Sequence, residues 1–288
     1  MTAALKTFVW QGRRLAYREA GAPGHSLLLL LPGSAASSAS LAGELDHFGR
    51  AYHVAALDFL GTGGAERISP WLPTWWELGA EQAAALAEHL GAGRYAVLGV
   101  GGGGVAALIT ALHAPGGVAA VVADSCVVRL SPGELEHVVH DRSPDTRGMT
   151  EAREGRNAEA GDLILGRGVL SLGRRLANWR LAAFWEAAHG RDWQDVVAAD
   201  SALLLELAAS GGWDPLAGRL DDVRCPVLLA GCSGDELLPG LDARQAEMAA
   251  RLLDCRRAFF TGGGHPAIWT CAREFRRAAD VFLAGIAF

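Results

Sequence analysis

VLGVGGGGVAAL, residues Val97–Leu108, is the stretch that decides the fold. Its first residues are apolar without polar alternation, which indicates a buried strand, and its last residues begin an alanine-rich helical pattern. Between them lies the turn Gly99–Gly103, with glycine at four of its five positions. Glycine allows such a turn to be tight, because no side chain keeps the strand and the helix apart. The stretch therefore predicts a strand, a sharp turn and a helix, the repeating unit of α/β proteins.

The same alternation of apolar runs and helical patterns extends on both sides of this turn. Helical patterns cover Leu41–Arg50, Thr74–Leu90, Gly103–Ala114, Leu241–Leu253 and Ala267–Ala284. The other predicted buried strands are SLLLLLPG (26–33), HVAALDF (53–59), AAVVADS (119–125), PVLLAGC (226–232) and RAFFTGG (257–263), and FVWQG (8–12) with RLAYREAG (14–21) reads as an opening antiparallel pair. Together they predict an α/β fold with a doubly wound, mostly parallel sheet.

One long segment interrupts this alternation. Residues 128–218 carry charged helical patterns and no convincing strand, so we expect a helical cap inserted after the sixth core strand. Ser131 and Glu134 stand at the spacing of a capping box, with Pro132 at the first helical position. The predicted domains are a core of residues 1–127 and 219–288 and a cap of residues 128–218 over the carboxyl ends of the strands. A separate helical domain with its own partner is the alternative.

Composition limits the class of protein without naming its function. The 288 residues are 50% apolar, and the formal net charge of −6 argues against nucleic acid as a partner. No apolar run has the length of a signal peptide or a membrane span, so we expect a cytoplasmic protein that does not bind membranes. The five cysteines form no C-x-x-C pair and indicate reduced thiols rather than a zinc site. The sequence leaves a homodimer open.

Two later segments bring chemical groups to the same edge of the predicted sheet. LLAGCSGDELLP (228–239) places Asp235 after one late strand, and FFTGGGHPAIW (259–269) places His265 after the last. With the turn Gly99–Gly103, they resemble the α/β-hydrolase family over nearly the whole chain outside the cap. The family's chain order is nucleophile, acid and histidine. The resemblance implies that Asp235 orients the imidazole of His265.

The chain departs from that family at the nucleophile. The family's turn reads G-x-S-x-G, whereas this chain reads GVGGG, so Gly101 stands at the vacated nucleophile position. The first parallel strand ends in Pro32-Gly33, where the family usually has His-Gly. The resemblance still implies an oxyanion hole made by the backbone N–H groups of Ser34 and Gly102, because backbone donors do not depend on the side chain.

The groups that remain are suited to proton transfer. Removing the nucleophile of a serine hydrolase lowers kcat by about 10⁶-fold, so a chain without that serine would hydrolyse esters poorly. His265 oriented by Asp235 is equipped as a general base, and the oxyanion hole would hold an enolate or phenolate. We expect a cofactor-independent, metal-free and non-hydrolytic enzyme for a small organic substrate, such as a cyclase, C–C bond-forming enzyme or lyase of natural-product biosynthesis. The alternatives are a hydrolase in which His265 activates water and a non-catalytic binding protein.

A dinucleotide site is a further alternative for the glycine turn. Gly99, Gly101 and Gly104 also satisfy G-x-G-x-x-G, and Asp124 follows about 20 residues later, as in dinucleotide-binding folds. That motif normally opens the first β-α-β unit, whereas two parallel strands precede this one. Asp124 also ends a predicted strand and is an alternative partner for His265.

Other side chains are weaker candidates. Ser34, Ser125, Cys126 and Ser233 lie near strand ends, where a replacement nucleophile would be needed, but polar loop residues are the favoured interpretation. His137 and His140 are three positions apart on a predicted helix, a spacing that can hold a metal ion, but no third ligand is in view.

Nine tryptophans are many for a chain of this length. Gly33, Trp75, Trp76, Trp185 and Trp269 belong to segments that surround the predicted site. We expect them to line a pocket for an aromatic or polyketide-like substrate. Packing in the core is the alternative for each tryptophan.

Overall fold

The computed structural model describes residues 3–142 and 181–288. These residues form an eight-stranded sheet in the order β1-β2-β4-β3-β5-β6-β7-β8. β1 pairs antiparallel with β2, β2 pairs antiparallel with β4, and the remaining pairs are parallel. The strands are β1 (Leu5–Trp10), β2 (Arg13–Ala20), β3 (Leu27–Leu31), β4 (His53–Asp58), β5 (Tyr95–Val100), β6 (Val118–Asp124), β7 (Val227–Cys232) and β8 (Cys255–Phe260).

The five central strands, β3 to β7, are buried along their whole length. Their almost entirely apolar sequences follow from this position, since helices cover both faces of the sheet. Val100 at the end of β5 is in register with Asp124 of β6, and Asp124 is in register with Ala230 of β7. The carboxyl ends of these neighbouring strands therefore lie side by side, and the loops that follow them meet at one edge.

The helices lie on both sides of the sheet. They are α1 (Ala42–Phe48), α2 (Trp75–His89), α3 (Gly102–His113), α4 (Pro132–Arg142), α5 (181–189), α6 (Trp193–Ala209), α7 (Leu241–Arg251), α8 (Ala267–Thr270) and α9 (Ala272–Leu283). Side chains of α2, α3 and α7 belong to the core on one face, and those of α1 and α9 belong to the core on the other. The predicted doubly wound, mostly parallel sheet is confirmed. None of the helices in the described part of the chain has the length and apolarity needed to cross a membrane.

Some predicted element bounds differ from the structure. The pattern Ala267–Ala284 is not one helix, because the backbone at Cys271 leaves helical geometry with φ −123° and ψ 40°. The last strand ends at Phe260 rather than at Gly263, since Gly262 and Gly263 adopt φ of +78° and +70°, values that strands do not have.

Helical segments α4, α5 and α6 lie between β6 and β7 along the chain, which is where the sequence predicted an insertion. One half of the predicted capping box is present: Glu134 Oε2 accepts from the Ser131 N–H at 2.8 Å, whereas the Ser131 hydroxyl donates to the same carboxylate at 2.7 Å. Leu130 and Trp213 pair by two backbone hydrogen bonds of 2.9 and 2.8 Å and bring the two ends of the insertion together. Residues 143–180 of the predicted cap lie outside the described residues, and the division into core and cap domains stays a prediction.

His189 fixes the end of α5 to the core. The Gly63 N–H donates to Nδ1 of His189 at 3.0 Å, and Nε2–H donates to the Ala35 carbonyl at 3.1 Å. Arg67 donates to the His189 carbonyl at 2.9 Å and to the Asp192 carboxylate at 2.7 Å. Burial lowers the pKa of His189, and the hydrogen bond from Gly63 requires the neutral ring.

Candidate active site

Gly101 occupies the turn between β5 and α3. Its φ of +54° and ψ of −119° form a conformation that other residues adopt only under strain. Its N–H donates to the Asp124 carbonyl at 2.8 Å, which joins the turn to the end of β6. A methyl group on Gly101 would lie 3.6 Å from Nε2 of His265 and, apart from its chain neighbours, would meet only this imidazole within 4 Å among the described residues. The position of the expected nucleophile therefore faces the predicted base across open space.

The other glycines of the turn serve close packing. A methyl group on Gly99 would lie 2.0 Å from the Gly103 carbonyl oxygen, and one on Gly103 would lie 2.3 Å from the Pro32 carbonyl oxygen. A methyl group on Gly104 would lie 3.1 Å from the thiol sulfur of Cys126. Protein atoms cover these glycines, so close packing accounts for Gly99 and Gly104, the first and third glycines of the G-x-G-x-x-G motif.

His265 and Asp235 are joined by a hydrogen bond. His265 Nδ1 lies 2.9 Å from Asp235 Oδ2, and the two side chains are only 12% and 1% exposed. Asp235 Oδ1 accepts from the backbone N–H groups of Leu237 and Leu238 at 3.2 and 2.9 Å, which holds the carboxylate in place. An imidazole that donates through Nδ1 carries its lone pair on Nε2 when it is neutral. That nitrogen is the one that faces Gly101.

Asp124, the alternative partner for His265, has a different set of contacts. Its Oδ2 accepts from the Ile268 N–H at 2.9 Å, and its Oδ1 is 3.2 Å from Ser125 Oγ, which accepts from the Ala267 N–H at 2.9 Å. Asp124 and Ser125 therefore fix the start of α8, directly after His265. Burial raises the pKa of Asp124 to about 8.

Ser34 and Gly102 lie together beside Gly101. A methyl group on Gly102 would lie 2.7 Å from Ser34 Oγ, so the side chain of Ser34 packs closely against Gly102. Gly102 is the first residue of α3, and the backbone N–H groups of a first helical turn have no carbonyl partner within the helix. The arrangement is compatible with the predicted pair of backbone donors.

A cavity with an internal volume of about 50 Å³ opens above the turn. Ser34, Gly101, Gly102, Ser125 and His265 line its floor on the core side. Leu130, Val138, Leu204 and Trp213, which come from the inserted segment, contribute to its wall, and none of them was predicted from the sequence. Most of the lining is apolar, so a ligand in this cavity would contact mainly apolar groups.

The tryptophans predicted to bind substrate have different positions. Trp76 lines the cavity and packs against Trp213, with ring centroids 4.6 Å apart. Trp75 is buried beside it, but its indole N–H donates to the Leu60 carbonyl at 3.0 Å. Trp185 stacks on Trp193 in a separate cluster, and Trp269 is 41% exposed and contacts Phe184.

Gly33 is also absent from the described lining of the cavity. A methyl group on it would lie 3.2 Å from the Val100 carbonyl oxygen. Its contact with the substrate, like those of Trp75, Trp185 and Trp269, stays a prediction without support from the cavity.

The weaker candidates have structural contacts. Ser125 Oγ accepts the Ala267 N–H, and Ser233 Oγ accepts the Gly262 N–H at 2.9 Å. Burial raises the pKa of the Cys126 thiol, which disfavours the nucleophilic thiolate. His137 Nε2 lies 3.1 Å from the Glu236 carbonyl oxygen. In the part of the chain that the structure describes, no three His, Cys, Asp or Glu side chains are grouped so that they could hold a metal ion.

Solved structures share this architecture. A hydrolase from Pseudomonas aeruginosa has a TM-score of 0.71 at 19% identity, with 97% of this chain and 98% of that chain covered. The enol-lactonase from Burkholderia xenovorans has a TM-score of 0.71 at 16% identity, with 97% and 100% covered. E-2-(Acetamidomethylene)succinate hydrolase has a TM-score of 0.70 at 16% identity, with 98% and 99% covered. At these identities, the similarity shows the fold alone.

Sequence comparison gives the family. No curated protein matches the chain. A family model described as the alpha/beta hydrolase family matches residues 28–278, which is most of the chain. The chain therefore belongs to the alpha/beta hydrolase family.

Proposed function

We propose that this chain is an enzyme that works without a serine nucleophile, with His265 as a general base that acts directly on a small organic substrate. One observation carries the proposal. Nε2 of the imidazole bonded to Asp235 faces open space above Gly101, where a methyl group would lie 3.6 Å away. A reacting atom of the substrate, rather than a side chain of the protein, occupies that space.

The roles of the residues follow from their contacts. Asp235 accepts the Nδ1–H of His265, stabilises the imidazolium that forms and keeps Nε2 directed at the substrate. Nε2 removes a proton from an acidic C–H or O–H group. The electron pair moves onto the substrate oxygen, which the backbone N–H groups of Ser34 and Gly102 stabilise. The apolar wall of the cavity strengthens these interactions because it excludes water.

An enolate or phenolate held in this way leads to several reactions. It can attack a carbonyl carbon of the same molecule, whose C–O π bond opens and whose oxygen takes the proton back from His265, as in a cyclase or C–C bond-forming enzyme. It can also expel a leaving group, which takes that proton, as in a lyase. Each needs only the base and the anion site, so we propose a cofactor-independent reaction. Trp76 and Trp213, in contact at the cavity, fit an aromatic or polyketide-like substrate.

Hydrolysis is a second candidate, and the same open space favours it. A water molecule beside Nε2 of His265 could be activated by the base and attack an ester or lactone whose carbonyl oxygen binds at Ser34 and Gly102. The solved structures with this fold include proteins named as a hydrolase and an enol-lactonase. This candidate keeps His265 as the base and changes only the atom that loses the proton.

Exchange of carbon-bound hydrogen for deuterium tests the proposal. In D₂O, the protein should accelerate α-proton exchange of 2-tetralone and related aryl ketones, measured by NMR. His265→Ala should lower this rate by about 100-fold or more, since general-base catalysis contributes about 10²–10⁴-fold. His25→Ala, at an exposed histidine, is the matched control and should keep the rate of the unsubstituted protein.

Hydrolysis of 4-nitrophenyl acetate, measured with the same three proteins, separates the two candidates. Exchange that depends on His265 without ester hydrolysis supports the non-hydrolytic enzyme. Ester hydrolysis that depends on His265 without exchange supports the activated water. Exchange that is equally fast in His265→Ala contradicts the assignment of the base.

A further inference from the structure

Helix α2 begins with two adjacent tryptophans whose indole N–H groups differ. Trp75 donates to the Leu60 carbonyl at 3.0 Å. Trp76 is 2% exposed, and its Nε1 is buried and has no hydrogen-bond partner among the described residues. Native proteins leave few buried donors unpaired, because such a group has lost water without gaining an acceptor. The N–H of Trp76 therefore calls for an acceptor that the described residues do not supply, and a bound ligand can supply it.

The position of this nitrogen indicates which acceptor it meets. A methyl group on Gly102 would lie 2.4 Å from Trp76 Nε1 and 2.7 Å from Ser34 Oγ. The indole nitrogen thus packs against Gly102 and lies near the side chain of Ser34, the two residues whose backbone N–H groups form the proposed oxyanion hole. Trp76, Ser34 and Gly102 also all line the cavity.

We propose that the indole N–H of Trp76 is a third donor to the anionic oxygen of the substrate. The inference rests on the proposed function, because it assigns a further group to the same anion site. The site then takes compounds in which the enolate or phenolate oxygen is part of a flat conjugated frame, with the ring of Trp213 as the adjoining wall. An indole nitrogen only donates, so it stabilises the anion without competing with His265 for the proton.

Binding of two matched probes tests the inference. 4-Nitrophenolate carries the anionic oxygen, and 4-nitroanisole has the same frame with that oxygen methylated and uncharged. Trp76→Phe removes the N–H and keeps an aromatic ring. It should weaken binding of 4-nitrophenolate by about tenfold or more, since hydrogen bonds to charged groups are the strong ones, and change the affinity for 4-nitroanisole little. Trp10→Phe, on the edge strand β1 and absent from the described cavity lining, is the control and should leave the affinity for both probes unchanged.

An NMR measurement distinguishes an indole N–H group that donates to the ligand from a tryptophan that has only a structural role. In the ¹H–¹⁵N spectrum, the indole resonance that is missing in Trp76→Phe should move downfield when 4-nitrophenolate is added to the unsubstituted protein. It should move little with 4-nitroanisole. Circular dichroism and thermal unfolding verify that both variants fold.

Four outcomes overturn the inference. If Trp76→Phe keeps its affinity for 4-nitrophenolate, or loses affinity for both probes equally, Trp76 is not a donor to the anion, while the proposed function stands. An equal effect of Trp10→Phe leads to the same conclusion. If the unsubstituted protein does not bind 4-nitrophenolate, the anion site itself is absent, and the proposed function fails with the inference.

Discussion

Replacing Gly101 by alanine tests whether the turn holds this position in a strained conformation. The added methyl group would lie 3.6 Å from His265 Nε2, which is ordinary van der Waals contact, so the cost comes from the backbone and not from a clash. At φ +54° and ψ −119°, a residue other than glycine costs about 1–3 kcal/mol. In a protein of this size, each kcal/mol lowers Tm by about 2–4 °C.

Substitutions at two other glycines give values of Tm with which this loss can be compared. Gly102→Ala places a methyl group 2.4 Å from Trp76 Nε1 and 2.7 Å from Ser34 Oγ, so neighbours must move and the loss of Tm should be larger. Gly116→Ala meets no atom within 4 Å and should be neutral or slightly stabilising. Thermal unfolding should therefore rank Gly116→Ala at or above the unsubstituted protein, then Gly101→Ala, then Gly102→Ala. A Gly101→Ala variant with unchanged Tm would refute the strain at the turn.

Gly101→Ser adds a functional measurement to the same position. Its hydroxyl would be one bond beyond a carbon 3.6 Å from Nε2, so it can come within hydrogen-bonding distance of the base. We expect a gain in 4-nitrophenyl acetate hydrolysis, with an initial burst of 4-nitrophenolate from the acyl-enzyme, and a loss of 2-tetralone exchange. Absence of any burst would contradict the assignment of Gly101 to the nucleophile position.

Three further variants replace ionisable side chains. Asp235→Asn should lower 2-tetralone exchange by about 100-fold or more while the fold is kept, because His265 loses the carboxylate that stabilises its cation; an unchanged rate would contradict its role. Burial raises the pKa of Asp124 to about 8, so the folded state retains a proton that the unfolded state releases above about pH 4. The free energy of unfolding should consequently fall as the pH rises from about 4 to 8, and Tm of Asp124→Asn should not show this fall. If Tm of the variant and of the unsubstituted protein changed with pH in the same way, Asp124 would not be its cause. Burial lowers the pKa of His189, so the free energy of unfolding should fall as the pH drops below about 6.5. Tm of His189→Asn should not fall in this way. An equal fall in both proteins would show that protonation of His189 does not cause it.

The elements that carry the proposed chemistry could be predicted because each has a local signal. The turn at Gly101 joins an apolar run to a helical pattern, and Asp235 and His265 follow late strands in glycine-containing loops. Parallel strands end at one edge, so local patterns were enough to bring these residues to one region. The family's chain order then suggested the partnership of Asp235 with His265, and the structure joins their side chains by a 2.9 Å hydrogen bond.

The wall of the cavity could not be predicted in the same way. Trp75 and Trp76 are adjacent and equally apolar, yet one donates to Leu60 and the other borders Gly102. That difference depends on which way each side chain points from the start of α2. Val138 and Leu204 line the cavity because of how α4 and α6 pack against each other, and apolar helix positions do not specify which surface they will meet.

Residues at the end of strand β6 hold two parts of the candidate site in place. The carbonyl of Asp124 holds the turn at Gly101, and its carboxylate, together with Ser125, holds the segment that follows His265. Val138, Leu204 and Trp213, by contrast, come from the inserted helices. We expect that transplanting the inserted segment of a relative onto this scaffold changes the wall of the cavity and so which molecules enter, while the contacts of Asp124 and Ser125 within the core remain. For the proposed function, substrate selectivity and reactivity would then depend on different parts of the chain.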